Sequence, residues 1–318
     1  MFKYYIPVIL VLLSLSSCTK QETLEDIRES MTLDLIEDIS TDSLQSYVTW
    51  MQNMGTRFCL ADNRRDVAEA VRNKFISFGY TAVRLDSFLL ERNYRGIDYS
   101  LWQYNVIARL NGNLYPDSVS VMGAHYDSIL SGTDSDPFTV APGAHDNASG
   151  VAAALEVARV MKENGFSPEG SIEFIAFTAE ELGLYGSWDF ASKARSADVK
   201  IKMMLNNDMI AYEPSVKQGN WKVNILDYEN SLNLLGDAER LAAKYTLLGT
   251  YNDNALNRYS DSFMFSEYGY PALFFYKDAD DPNYHSLNDI VDNCNFIYCR
   301  EVVNISTALL VEKNIYDR

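Results

Sequence analysis

The chain has 318 residues, with 27 Lys and Arg against 44 Asp and Glu, for a formal charge of −17. No basic block interrupts this acidic surface, so nucleic acid and anionic lipid headgroups are poor partners for it. With 47% hydrophobic and 13% aromatic residues, the composition excludes a disordered chain and allows a large core.

At the amino end, Lys3 precedes an apolar run from Tyr4 to Leu15. A bilayer span needs about 20 apolar residues, so this run is short for a membrane helix and the right size for a signal peptide. Leu15-Ser16-Ser17-Cys18 resembles the lipobox of bacterial lipoproteins. We therefore expect residues 1–17 to be a lipoprotein signal peptide, with a lipid on Cys18 anchoring an exported protein to the cell envelope, periplasmic or outer-membrane. An ordinary secretory signal is the alternative, and it also exports the chain. Residues 18–42 are polar and acidic and read as a tether or surface helix, followed by one compact domain over 43–318. With Cys18 lipidated, Cys59, Cys294 and Cys299 remain, an odd number that leaves room for one bridge of undetermined pairing. None of them has the paired spacing of a zinc ribbon.

Helical periodicity and polar caps predict helices near 43–55, 63–79, 147–164, 228–245 and 296–313. Between them, short apolar or β-branched runs predict strands at 81–88, 103–110, 117–125, 171–179, 199–208, 221–228 and 271–278. Strands alternating with helices imply an α/β domain whose mainly parallel sheet is covered on both faces. In such domains ligands bind beyond the carboxyl ends of the strands.

The unusual polar residues gather at those ends. His125 and Asp127 close one predicted strand, Glu180 and Glu181 follow the next, Asp208 closes a third, and His285 lies in the loop after 271–278. Asp146, in the stretch GAHDNASG, opens the predicted helix after the His125 strand, where Asp, Asn and Ser suit a helix cap. Singly, each of these has an ordinary structural reading. Together, two histidines and three carboxylates at one sheet edge make a metal-ligand inventory. Asp146, Glu181 and Asp208 carry three negative charges; two Zn²⁺ ions exceed them by one, which a bridging hydroxide matches. An Asp in the middle of such a set has two oxygens with which to bridge, and its position at a helix start would hold it rigid.

The motifs GAHYDS, GAHDNASG, FTAEELGLYGS, NNDMI and YHSLND, in this order, resemble those of the co-catalytic di-zinc aminopeptidases, a zinc exopeptidase family that also includes glutamate carboxypeptidases and glutaminyl cyclases. The resemblance covers roughly residues 100–295, with MQNMGTRF as a less specific entry. It implies a three-layer α/β/α fold with a mixed, mainly parallel sheet. It further implies one zinc held by His125 and Asp208, a second held by Glu181 and His285, and Asp146 bridging them. Glu180 would be the general base, and Asp127 would orient the His125 ring. His145 occupies a position that varies in the family. The implied activity is release of one residue from peptides with a free N-terminus; carboxypeptidase or dipeptidase action, single-zinc glutaminyl cyclisation and a metal-free binding domain are the alternatives.

Three positions depart from the family pattern: Ser260-Asp261-Ser262 in place of Ser-Asp-His, Ile290 in place of Thr, and Ala211 in place of Gly. Residues 128–144 form a long connection expected to overhang the site, and Tyr251, Phe263, Tyr268 and Tyr270 are either pocket walls or core.

Overall fold

The computed structural model describes residue 1 and residues 23–132, 136–277 and 279–316. Residues 2–22, which carry the expected signal peptide and Cys18, lie outside the described residues. An eight-stranded sheet organises the domain, in the order β1-β2-β4-β3-β5-β8-β6-β7. Its central strands, β4 (Gly170–Phe177), β3 (Tyr115–His125), β5 (Lys200–Asn207) and β8 (Ala272–Lys277), run parallel. Antiparallel neighbours flank them: β2 (Ile97–Leu110) beside β4 and β6 (Lys222–Leu226) beside β8. The edges are β1 (Val83–Tyr94) and β7 (Gly249–Tyr251). Every residue of β4 is buried, as expected of a strand covered on both faces.

One covering layer holds α1 (Leu24–Glu37), α2 (Thr41–Gln52), α3 (Arg64–Ser77), α4 (Ser149–Glu163), α6 (Leu232–Tyr245) and α8 (Phe296–Asn314). Their apolar faces share one core with the sheet, in which Val48, Phe75, Leu155, Phe174 and Leu309 are fully buried. The opposite layer is thinner, made by α5 (Tyr185–Ser196) and α7 (Ser262–Glu267), whose Phe190 and Phe265 pack on Ile175, Phe177 and Met204. The three-layer α/β/α architecture with its mixed, mainly parallel sheet is thus present. Helix α1 carries a capping box between Thr23 and Asp26, and Leu35 and Ile39 join the main core.

Three elements were not anticipated. Strand β7 is too short to show alternation, α7 has only six residues, and α5 buries a narrow stripe of small residues around Phe190. The bridge for which the sequence left room is not formed among the described residues: Cys59, Cys294 and Cys299 are free thiols. Cys59 packs in a cluster beneath the β1–β2 hairpin, whereas Cys299 is buried in the main core, so these two sit in different clusters.

Register places the site. His125 lies beside Phe177, Gly123 beside Asn206, and Asn207 beside Phe275, so four parallel strands end at one level. Gly150 lets α4 close onto that edge, because a Cβ there would lie 2.0 Å from the Asn207 carbonyl oxygen.

Candidate metal centre

Asp146 stands at the centre of the cleft formed at this edge, and its local structure differs from the expected helix cap. Helix α4 starts only at Ser149, and Asp146 has extended backbone angles (φ −111°, ψ 97°). The capping is done by Asn147, whose Oδ1 accepts the Gly150 N–H at 2.9 Å. Relieved of that role, the Asp146 carboxylate turns into the cleft. Asp289 holds it there from behind: its two oxygens accept the backbone N–H groups of His145 (2.7 Å) and Asp146 (3.0 Å).

The two Asp146 oxygens face different imidazoles. Oδ1 lies 3.2 Å from His125 Nε2, and Oδ2 lies 3.1 Å from His285 Nε2. Asp208 Oδ1 approaches His125 Nε2 at 3.6 Å, and Glu181 Oε2 approaches His285 Nε2 at 2.9 Å. Two donor groups result, His125–Asp146–Asp208 and Asp146–Glu181–His285, each with its donor atoms within 4.8 Å of one another. Their common member is Asp146. Glu180 is close by, with Oε2 3.9 Å from His125 Nε2. The structure brings all six residues together at this edge.

Asp127 takes a somewhat different part. The His125 Nδ1–H donates to the backbone carbonyl of Asp127 at 3.1 Å, while the carboxylate stands 3.6 Å off. That carboxylate instead accepts the backbone N–H groups of Glu180 (3.1 Å) and Glu181 (3.3 Å). It therefore fixes the turn carrying both glutamates, and the ring is oriented mainly by the main chain. His145 stays out of the cluster: its Nδ1 accepts the Ala211 N–H at 3.1 Å, and burial lowers its pKa to about 3, so it is neutral.

Further residues steady the donors. Ser260 Oγ donates to Asp208 Oδ2 at 2.6 Å, and Ser131 Oγ meets His285 Nδ1 at 3.3 Å. Arg57, fully buried, donates to the carbonyls of Tyr126 (2.8 Å), Pro142 (2.7 Å) and Gly143 (2.7 Å), tying the 128–144 connection to the strand that bears His125. Arg57, Ser131, Ser260 and Asp289 stand in MQNMGTRF, the 128–144 connection, Ser260-Asp261-Ser262 and YHSLND, where nothing in their spacing distinguishes them from surface polar residues. Of the three departures from the family pattern, Ser260-Asp261-Ser262 sits below Asp208, where Ser262 Oγ meets the Tyr228 hydroxyl at 2.8 Å.

Electrostatics explain why the cluster calls for cations. Burial, reinforced by Glu181 and Asp208, pushes Glu180 well above the usual carboxyl range, and burial with Asp146 nearby raises Glu181 to about 7. Burial would lower the histidines, but Glu180 and Asp208 carry His125 well above its ordinary value, and Asp146 and Glu181 lift His285 to about 10. Burial alone would raise Asp146 too, yet the two imidazoles hold it below the usual range. In this state protons supply the missing positive charge. Asp208 Oδ1 and Glu181 Oε1 are buried without a hydrogen-bond partner, as befits atoms meant for another ligand.

Beside the cluster opens a cavity of about 460 Å³. Its walls include Met209, Leu256, Tyr259, Phe274 and Tyr276, with Asp280 and Asp281 also lining it. Tyr251, Phe263, Tyr268 and Tyr270 are not among them; Phe263, Tyr268 and Tyr270 pack in the core under α5 and α7. Alternation along β8 sets Phe274 and Tyr276 on one face, a signal present in PALFFYKD.

The model of peptidase family M28 matches residues 105–309, a span holding every residue of the cluster. The chain belongs to peptidase family M28. Among curated relatives, a probable aminopeptidase of Saccharomyces cerevisiae is 26% identical over 288 residues, covering 88% of this chain and 74% of the relative. A probable zinc metalloprotease of Leptosphaeria maculans is 32% identical over 188 residues, or 55% of this chain and 42% of that protein. This M28 metallopeptidase also shares its fold with the LapA aminopeptidase of Legionella pneumophila (TM-score 0.76, 21% identity, 91% of this chain and 76% of that one). A glutaminyl cyclase of Fimbriiglobus ruber has the same fold (TM-score 0.69, 19% identity, 86% of this chain and 95% of that one).

Because the surrounding carboxylates raise both imidazoles above their ordinary value, zinc competes with protons at His285 and His125. Isothermal titration of the metal-free M28 peptidase with zinc near pH 7, in buffers of different ionisation enthalpy, should show about one or more protons released per ion. Apparent affinity should fall as pH is lowered. A heat independent of buffer would contradict this charge assignment.

Proposed function

We propose that the protein is a zinc-dependent aminopeptidase that hydrolyses the first peptide bond of peptides with a free N-terminus, using two zinc ions. The observation that carries this reading is the division of the Asp146 oxygens between two donor groups. His125 and Asp208 would hold one ion, Glu181 and His285 the other, with Asp146 shared. The fit is good, since two inward carboxylate oxygens of this set, Asp208 Oδ1 and Glu181 Oε1, lack any other partner. When bound, such ions lower the pKa of water from 15.7 towards about 7 and polarise the scissile carbonyl.

The remaining work belongs to the chain's own groups. Glu180 is held by its N–H on Asp127 with its carboxylate facing the centre, placed to take a proton from water and pass it to the departing amine. Burial raises its pKa, which suits a group that must both accept and return a proton. Asp289, Asp127, Ser260 and Ser131 keep the donors in place, so that little reorganisation accompanies reaction.

Charge favours the N-terminal over the C-terminal direction. Asp146, Glu180, Glu181, Asp208, Asp280 and Asp281 all line the first cavity, whose one lysine, Lys277, donates to the Ala279 carbonyl at 2.6 Å. With the ligand carboxylates neutralised by the two ions, Asp280 and Asp281 still outnumber Lys277, and such a field attracts an α-ammonium group and repels an α-carboxylate, which argues against carboxypeptidase action. The completeness of both donor groups argues against single-zinc cyclisation.

Substrates would be met outside the cytoplasm, since we also propose export with a lipid on Cys18, on the strength of the signal-like run and Leu15-Ser16-Ser17-Cys18. Mass spectrometry of the mature protein should find a lipidated Cys18 at its N-terminus; an intact Met1 would end that proposal.

On a panel of free and N-acetylated peptides, cleavage should require the free amine and stop with chelator. Glu180→Gln should retain both metals and lose about 100-fold or more in kcat. Undiminished activity in Glu180→Gln would remove the assigned base, and cleavage from the C-terminus would replace the aminopeptidase reading.

A further inference from the structure

Tyr284 lines the first cavity, and the ring of His285, stacked on it at 3.7 Å between centroids, lines a second cavity of about 490 Å³. The two cavities thus flank the metal centre. Leu130, Val140 and Leu287 give the second one apolar walls. None of the three belongs to a core cluster of the fold, and Val140 and Leu287 are 38% and 57% exposed. On so acidic a chain, apolar side chains left open to water beside a reaction centre point to a ligand's apolar part.

These walls are also fixed in place. Thr56 Oγ1 donates to the Pro137 carbonyl at 2.6 Å, the Ala141 N–H donates to the Gly55 carbonyl at 3.0 Å, and the Ser131 N–H donates to the His285 carbonyl at 2.9 Å. Among the described wall residues the one carboxylate, that of Asp136, is engaged with its own turn, accepting from the Phe138 N–H at 3.1 Å and from the Thr139 hydroxyl. It is therefore poorly placed to hold a cationic side chain.

A peptidase must receive both sides of the bond it cuts. The first cavity, ringed by carboxylates, suits the residue that bears the free ammonium, which leaves the second for the departing part. We infer that the second cavity binds an apolar side chain at the second residue of the peptide, so that the substrates are peptides of the form Xaa-apolar rather than aminoacyl groups in general. This rests on the aminopeptidase reading above.

The test holds the first residue at the best one of the panel and varies the second among Leu, Phe, Gly, Asp and Lys in tripeptides. The wild-type enzyme should favour Leu and Phe over Asp by about tenfold or more in kcat/KM. Leu287→Arg should shift that ratio towards Asp, and Leu287→Asp should shift it towards Lys, each by about tenfold, with most of the change in KM. Val140→Asp, at an independent position on the same wall, should move the ratio as Leu287→Asp does. Equal rates for every second residue in the wild type, or ratios that stay within about twofold in all three variants, would overturn the inference. Failure to cleave any peptide with a free amine would instead remove the aminopeptidase reading, and this inference with it.

Discussion

Too many carboxylates share too little space at the end of this sheet, and the structure is arranged around that conflict. Asp146, Glu180, Glu181 and Asp208 gather around two imidazoles in a cleft where burial penalises every uncompensated charge. Burial with Asp146 nearby raises Glu181 to about 7, and against burial the neighbouring carboxylates lift His285 to about 10, so protons taken up there relieve part of the crowding. Divalent cations would relieve it more fully, and Asp146 offers each donor group one oxygen. The features that make the cluster costly to fold are the ones that let it hold metal.

Holding such a cluster requires that no donor be free to turn away. Main-chain donors do much of this, because they are fixed by the fold itself. Asp289 grips the N–H groups of His145 and Asp146, and Asp127 grips those of Glu180 and Glu181. Each of these two buried carboxylates thereby secures a backbone segment that carries one or two reactive side chains. The aligned ends of β3, β4, β5 and β8 supply the common level, and Gly150 allows α4 to bring the Asp146 segment within reach of the Asp208 strand.

Much of this was legible in the sequence. Long periodic segments gave α2, α3, α4, α6 and α8, and the polar residues after apolar runs located the cluster, because period and strand ends follow from local chemistry. What escaped notice depends on contacts between distant segments. Asp289 looks like any acidic loop residue until it meets the His145–Asp146 main chain, and Arg57 looks like a surface cation until three carbonyls enclose it. The helix-cap reading of Asp146 failed for a local reason: Asn147, next to it, caps α4 instead. The sequence left Phe263, Tyr268 and Tyr270 open between pocket wall and core; they pack in the core of the thin layer, while Phe274 and Tyr276 face the cleft.

Under the proposed function, Asp146 would be shared between two ions. A crystal of the zinc-loaded protein, measured on both sides of the zinc absorption edge, tests it most directly. Two anomalous peaks are expected about 3.5–4 Å apart, one on each side of the Asp146 carboxylate, with His125 at one and His285 at the other. A single peak at full zinc loading, or two that do not both contact Asp146, would contradict it.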